Sequence, residues 1–555
     1  MRMVREDTDD RVMHETVRTV CAVFGFSFLL SLPLVSLGQA GELDFCFGRA
    51  GRVTTDFAGD EDVARAMSVQ GDGKIVVAGV SRVADLDFAL ARYLPDGSLD
   101  ESFGNGGLVT TDFAGKQDEA EAIALQADGK IVVAGRSLGG DAGGDFAVAR
   151  YLPNGSLDSA FGNGGWVSTD FYGRNDEAHA VLLQDDDKIV VAGSAKMPLN
   201  VDYALARYHS NGSLDASFGD GGRVTTDFKG VGDFGNSTVL QSDGKIIVAG
   251  VSKSLSGSIG RILSMARYHP DGSLDESFGG QSVNLPGRAS VVTLSYSLGA
   301  ESVILQDDGK IVTAGLIFDR RDHICSPDSP EDCTAEDFAL FRFLPDGSLD
   351  TEFGAGATGI VATDFAGAID LARSATLQSD GKIVAAGSTK ESEFADGDFA
   401  LARYLPDGSL DESFGGGGMV TTDFSGANDE AFATALQGDG KVVVAGNTVD
   451  LINGLDFALA RYVAQSIPAE TVSCIAGEIG DLVESGSISN HQAYGLPAIL
   501  KAAIKQLDKG HEHSAAILLQ AFIKRVDALV NAGKLADSDA QLLIGAAGDV
   551  INELH

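Results

Sequence analysis

The chain has 555 residues, 44% of them hydrophobic, with 70 glycines and a formal net charge of −39. This composition excludes a disordered chain and fits a large folded protein rich in strands and turns. The acidity, with no basic stripe, argues against nucleic acid as a partner and is consistent with a salty habitat or bound cations.

Residues 1–40 read as a signal peptide. Val20 to Leu37 is apolar, Arg18 precedes it, and Gly38-Gln39-Ala40 offers small residues for cleavage. The acidic residues Glu6, Asp7, Asp9 and Asp10 are untypical of a leader, and a start at Met13 would remove them. An uncleaved anchor is the alternative, but Ser31, Pro33, Ser36 and Gly38 interrupt the apolar run. No later segment is apolar enough to span a bilayer.

From residue 41 to 464 the chain is repetitive. An Asp-Gly-Lys-type core recurs at Asp72, Asp128, Asp186, Asp243, Asp308, Asp380 and Asp439, at intervals of 56 to 72 residues. A period of this size means an array of supersecondary units. Asp-Gly between two apolar runs predicts a type I′ hairpin, with Asp187 replacing glycine in the third copy. Each unit offers four strands. In the second they are A (Ala120 to Gln126), B (Lys130 to Gly135), C (Asp145 to Leu152) and D (around Trp166 to Phe171). Strand B is apolar without alternation, so both its faces should be buried. Four short strands per repeat describe a propeller blade.

The array begins out of phase. Gly41 to Gly48 matches Gly97 to Gly104, and Gly51 to Phe57 matches Gly107 to Phe113, whereas the seventh unit stops after its strand C at Tyr462. The N-terminal strand around Val53 therefore supplies the missing strand D, which predicts a seven-bladed β-propeller closed by both ends of the chain.

The stretch Leu125 to Gly135 followed by Asp145 to Asp158 resembles the delta-60 repeat family of bacterial secreted and surface proteins, and its order of elements is similar to NHL-type propeller repeats. The resemblance implies a binding or surface role and supplies no catalytic residues. The fourth unit departs from it, with Gln281 to Pro286 in place of Thr-Thr-Asp-Phe.

After Ile467-Pro468 the spacing turns helical. Val472, Ile475, Ile479 and Leu482 share one face, and Leu496, Ile499, Leu500, Ala503 and Leu507 form a second stripe. Val483 to Asn490 matches Val530 to Asp537, in both cases with Gly ending one helix and Asn or Asp capping the next. Residues 465–555 thus read as a four-helix module of two related hairpins, which resembles the FIMAH domain of secreted bacterial proteins.

No nucleophile elbow, P-loop, HExxH or paired CxxC is present. Arg92, Arg150, Arg207, Arg267, Arg342, Arg403 and Arg461 recur on strand C, and a buried Arg must be paired. The Asp of Thr-Thr-Asp-Phe (Asp56, Asp112, Asp170, Asp227, Asp364, Asp423) is the expected partner; an anion-binding ring is the alternative. The same acids could line a calcium site with Asp87 or Asp145 at the start of strand C, although no EF-hand or nonapeptide pattern is present, and no metal or other cofactor is expected.

The A–B and C–D turns are nearly uniform and lie on one face, while the B–C loops on the other face all differ. Varied loops on a rigid scaffold are where binding usually sits. The longest, Leu316 to Glu336, carries Arg320, Arg321 and His323 as candidate ligand contacts. An even cysteine count after leader removal suggests two disulfides, Cys325–Cys333 within that loop and Cys46–Cys474 between array and helices. Together these features suggest a secreted or cell-surface bacterial protein, monomeric and without a membrane span once the leader is removed. It would bind an extracellular protein or glycan rather than act as an enzyme. The competing class is a lyase or glycosidase with acids near the channel.

Overall fold

The computed structural model describes residues 40–554 apart from short internal stretches, among them 254–260, 280–286, 292–295, 320–335 and 465–467. The proposed leader lies outside the described residues except for Ala40, whose carbonyl accepts the Gly415 N–H. No helix among the described residues is long and apolar enough to cross a membrane.

The protein is mainly β, in propeller-like repeats, with a small helical region at its C-terminal end. Seven sets of four antiparallel strands follow one another. In the second set strand A is Asp118–Leu125, B is Ile131–Ser137, C is Asp145–Tyr151 and D is Trp166–Thr169. Strand B is buried along nearly its whole length, as its unbroken apolar run requires. The hairpin ahead of it differs from the type I′ expectation. Gly129 N–H donates to the Gln126 carbonyl, and only Gly129 has positive φ, +83°. This is a type I turn followed by a left-handed residue, the three-residue hairpin loop. The Asp128 carboxylate accepts the Lys130 N–H, which favours the turn without requiring Asp128 itself to turn left-handed. In the third unit Asp187 takes the left-handed position at +61°.

The N-terminal strand Arg52–Thr55 pairs with Gly454–Tyr462 in the register Arg52–Ala460 to Thr55–Phe457, and so supplies strand D of the seventh sheet. The apolar cores lie between successive sheets, each drawing on two of them. The seventh such core joins Val443, Ala445, Phe457 and Leu459 of the last sheet to Ala64, Ile75, Val77 and Ala89 of the first. The seven A strands likewise touch one another in a cycle, the last against the first.

The strand-C arginines hold this arrangement, but not through the expected partners. Arg92, Arg150, Arg207 and Arg403 donate to Asp100, Asp158, Asp215 and Asp411 at 2.8–2.9 Å. Arg267 and Arg342 do the same to Asp275 and Asp350, and Arg461 reaches Asp44 across the closure. The pairing with Asp56, Asp112, Asp170, Asp227 and Asp423 is therefore corrected. The C–D turn folds its Leu-Asp segment back along strand C, so the Asp eight residues on lies beside the arginine. The Thr-Thr-Asp-Phe acids sit at the opposite end of the sheet. Each guanidinium also lies 4.3–4.7 Å over a phenylalanine ring, Phe103 for Arg92 and Phe47 for Arg461. Most donate further to a turn carbonyl of the next sheet, Arg92 to Pro153 and Arg461 to Pro95. A second tie, Tyr to Thr, joins consecutive sheets and spans the closure from Tyr93 to Thr55 at 2.8 Å.

The helical region comprises α1 (Pro468–Glu484), α2 (Asn490–Ala493), α3 (Leu496–Leu507), α4 (Glu512–Asn531) and α5 (Asp537–Glu553). Val472, Ile475, Ile479 and Leu482 face its core. Ser489, not Asn490, is the N-cap of α2, in a capping box with Gln492; α2 is an extra turn that the repeat pattern does not announce. The module leans on the array's first segment. Phe45 enters its core, Arg49 pairs with Asp539 at 3.0 Å, and Lys441 pairs with Glu470 at 2.8 Å. Cys46 and Cys474 form a disulfide with Cα atoms 5.3 Å apart. Cys325 and Cys333 lie outside the described residues.

Deleting residues 41–58 removes strand D of the last sheet, the Arg461 partner and Cys46 together. The expected result is a melting temperature far below that of the full chain; equal melting temperatures would show that the closure adds nothing to stability. Acid should also unfold the array. Burial would raise Asp411, but hydrogen bonds from Ser413 and Lys382 and the charge of Arg403 outweigh it and hold the carboxyl at about 2, below its ordinary 3.8. A depressed folded pKa stabilises the fold above 3.8, and that stability is lost as pH falls through about 2. The melting temperature should therefore drop between pH 4 and 2. Asp411→Ala should cost about 3–5 kcal/mol in urea unfolding at pH 7, since it strands a buried arginine.

Candidate functional site

Among near-identical repeats, a site shows itself where the units stop repeating. Every strand A carries a β-bulge at one position, between Ala64 and Ala66, Ala120 and Ala122, Ala178 and Ala180, Gly235 and Ser237, Ala300 and Ser302, Ala372 and Ser374, and Ala431 and Ala433. The neighbours are small in every unit. The bulged residue is Arg65, Glu121, His179, Asn236, Glu301, Arg373 or Phe432.

The cause of the bulge lies on strand B. The glycine of the Ala-Gly pair faces it, and a Cβ at Gly135 would stand 1.9 Å from the Glu119 carbonyl oxygen; Gly79, Gly193, Gly250, Gly315, Gly387 and Gly446 are as tightly placed. Only glycine lets the bulged backbone approach that closely. Bulges re-aim a side chain, and here seven of them project five kinds of side chain from the innermost strands, a few residues from the end where the B–C loops emerge.

These side chains are partly buried and interact around the ring. Arg65 Nε lies 3.9 Å from Glu121 Oε1, and the Arg65 guanidinium lies 4.7 Å over the Phe432 ring. Arg373 flanks the same ring at 5.5 Å. Asn236 donates to Glu301 Oε2 at 3.1 Å and to the Ala300 carbonyl at 3.0 Å. Above them, Arg136 bridges Glu119 and Glu177, each at 2.6 Å, and Glu177 lies 3.9 Å from His179 Nε2. Burial raises the Glu121 carboxyl against the pull of Arg65, and raises Glu301 against Arg373 and Arg261. Burial lowers His179 below 6.5, with Arg136 and Arg65 acting in the same direction against Glu177. A neutral imidazole and two carboxyls of raised pKa on one ring are groups able to exchange protons with, or hydrogen-bond, a bound molecule. Two arginines around an aromatic ring add an anion-binding and stacking surface.

The sequence-predicted residues fall elsewhere. Arg92, Arg150, Arg207 and Arg403 are buried in the clamps between sheets, which leaves no anion-binding ring on strand C. Arg320, Arg321 and His323 lie outside the described residues. A wide cleft between the N-terminal segment and α1, lined in part by Arg49, Glu478 and Asp481, lies away from the ring. The bulge residues went unread in the sequence. Their signal is the alignment of triplets with a small residue (Ala, Gly or Ser) on either side of a central residue that changes from charged to polar to aromatic.

Comparison with protein families agrees with this architecture. A repeat described as "Domain of unknown function (DUF5122) beta-propeller" matches at residues 70–103, 126–161, 184–218, 241–278, 334–353, 378–414 and 437–464, and the FIMAH domain matches at 473–552. The chain carries DUF5122 β-propeller repeats followed by a FIMAH domain. Comparison with curated proteins found no significant match. Among solved structures, the chain is similar to the polysaccharide lyase Uly1 at 11% identity and a TM-score of 0.41, covering 78% of this chain and 96% of that one. It is similar to a PL25 ulvan lyase bound to -[GlcA(1-4)Rha3S]- at 12% and 0.42, covering 74% and 96%. The β-propeller domain of the trilobed protease from Pyrococcus furiosus follows at 10% and 0.34, covering 72% and 96%.

The state of His179 is directly measurable. Its NMR titration should have a midpoint below 6.5, so that the ring is neutral at pH 7. A midpoint at or above 6.5 would mean that Glu177, not burial, governs the imidazole.

Proposed function

We propose that the protein is an exported bacterial binding protein of the scaffold kind, a closed seven-bladed propeller at residues 41–464 followed by a helical module at 465–555, with its ligand taken at the B–C loop face over the ring of bulge residues. One observation carries the reading: the bulge position changes chemistry from unit to unit while its neighbours stay small and the opposite residue stays glycine. A position under purely structural constraint would repeat as the clamps do. The mixture of Arg65, Arg373, Phe432, Glu121 and Asn236 suits a polar, partly anionic extracellular partner such as a glycan or a protein segment. By sequence, Arg320, Arg321 and His323 extend the same face. Residues 1–40 act as the leader in this reading, and the acidic surface keeps the exported chain soluble.

A second reading is an extracellular polysaccharide-active enzyme. It rests on the raised carboxyls of Glu121 and Glu301 and the neutral His179, which would serve as acid and base.

Screening the exported chain against glycan and protein arrays tests both. For a ligand so found, Arg65→Ala combined with Arg373→Ala should weaken binding at least tenfold. Lys130→Ala, in the uniform hairpin of the opposite face, should leave it unchanged. Equal affinity for all three proteins would remove the ring from the site. Release of new reducing or unsaturated ends that disappears in Glu121→Gln and His179→Ala would replace the binding reading with the enzyme.

A further inference from the structure

The Thr-Thr-Asp-Phe acids, displaced from the arginines, gather with other carboxylates at the junctions between sheets. Asp87, Asp112 and Asp118 place one oxygen each within 4.8 Å of one another, and so do Asp145, Asp170 and Asp176; Asp202, Asp227 and Asp233; Asp337, Asp364 and Asp370; and Asp56, Asp62 and Asp456. Asp398, Asp423 and Asp429 repel one another in the same way. Each group combines the start of a strand C, the end of its strand D and the start of the next strand A. The fourth junction lacks this set: strand C there begins Arg261-Ile262, and Thr-Thr-Asp-Phe is missing.

A cluster of acids alone says nothing about a ligand, because solvated carboxylates often lie close together. The buried member of each group is different. Asp62, Asp118, Asp233 and Asp429 are at most 1% exposed, and each uses Oδ2 to accept the N–H of the preceding Phe (Phe57, Phe113, Phe228, Phe424). Their Oδ1 atoms are sealed from solvent and have no hydrogen-bond donor. Ser81, Ser137, Ser252 and Thr448 stand beside them on strand B and draw on the carboxyls, but not in hydrogen-bonding geometry, and their own hydroxyls are buried without a partner too. In the two other groups that oxygen is occupied: Asp176 Oδ1 accepts the Lys196 N–H at 3.2 Å, and Asp370 Oδ1 accepts from Thr389 at 2.5 Å. A buried carboxylate oxygen without a donor is costly, and two more carboxylates beside it increase the cost. A cation removes both penalties at once.

We propose that these inter-sheet carboxylate groups are divalent cation sites of calcium type, repeated around the B–C loop face. Three oxygens within 4.8 Å of one another can be reached from a centre at most about 2.8 Å from each, a small contraction away from calcium–oxygen distances of about 2.3–2.6 Å, and an all-oxygen donor set with a hydroxyl nearby suits a hard cation. The sites differ from the bulge ring in residues and position. Each cation would tie strands C and D of one sheet to strand A of the next, and the group formed by Asp56, Asp62 and Asp456 would tie the chain's two ends. Binding in the range of extracellular calcium modules, about 10⁻⁴–10⁻³ M, is expected.

Equilibrium dialysis of the whole exported chain against calcium chloride, with metal analysis, reads the number bound. Several calcium ions per chain are expected, and a rise in melting temperature that magnesium at equal concentration does not reproduce. Asp112→Asn keeps a side-chain oxygen for the Gly115 N–H that Asp112 now accepts, so it leaves the local turn in place. It should lower the bound number by about one, and Asp112→Asn with Asp170→Asn by about two, with circular dichroism unchanged. Less than one calcium per chain at millimolar concentration, an unchanged number in both variants, or an equal effect of magnesium would overturn the proposal.

Discussion

The arginine clamp on strand C is the interaction on which the structure depends. A guanidinium buried between two sheets must satisfy its donors or destabilise the fold by several kcal/mol. Here it is satisfied by an aspartate of its own unit and a turn carbonyl of the next, with a phenylalanine against its face. One side chain thus specifies the C–D turn, the spacing of neighbouring sheets and the place of an aromatic core residue. The clamp's last copy is made by Arg461 and Asp44, which are 417 residues apart. The ends of the chain are recruited by the same chemistry that joins every interior pair of sheets, so the closure needs no special device.

The clamp and its companion Tyr–Thr bond leave the inner strands free to vary. The glycine under each bulge permits a residue to project from strand A without disturbing strand B, and the small residues on either side keep the bulge tightly packed. Stability and chemical variety are thereby separated within one repeat: the outer three strands carry the former, the bulged residue of the inner strand the latter. This separation explains how a nearly uniform array can present Arg, Glu, His, Asn and Phe around one ring.

The helical module is joined to the array where the two ends meet. Phe45, Arg49 and Cys46 all precede the N-terminal strand, and all three contact α1 or α5. The disulfide bridges a sequence separation of 428 residues, for which the chain-entropy model gives a stabilisation of roughly 6 kcal/mol. The segment that completes the last sheet is therefore held from both sides, by Arg461 and Tyr462 beneath it and by the helices above.

The sequence by itself determined the repeat, the four strands of each unit, the phase shift that sends the N-terminal strand to the last sheet, and the helical module. Period, apolar runs and glycine turns are local signals, and local signals are written residue by residue. It also made clear that seven buried arginines need partners. It could not say which acids they take, because Asp100 and Asp112 both follow Arg92 closely, and only the fold of the C–D turn brings the first alongside and carries the second to the far end of the sheet. The ring of bulge residues was equally hidden: a bulge is a mismatch between two strands, and neither strand alone records it. The same holds for the carboxylate groups between sheets, whose members come from three strands of two units. Which residues meet across sheets depends on register and stagger, and those belong to the packed array rather than to any stretch of chain.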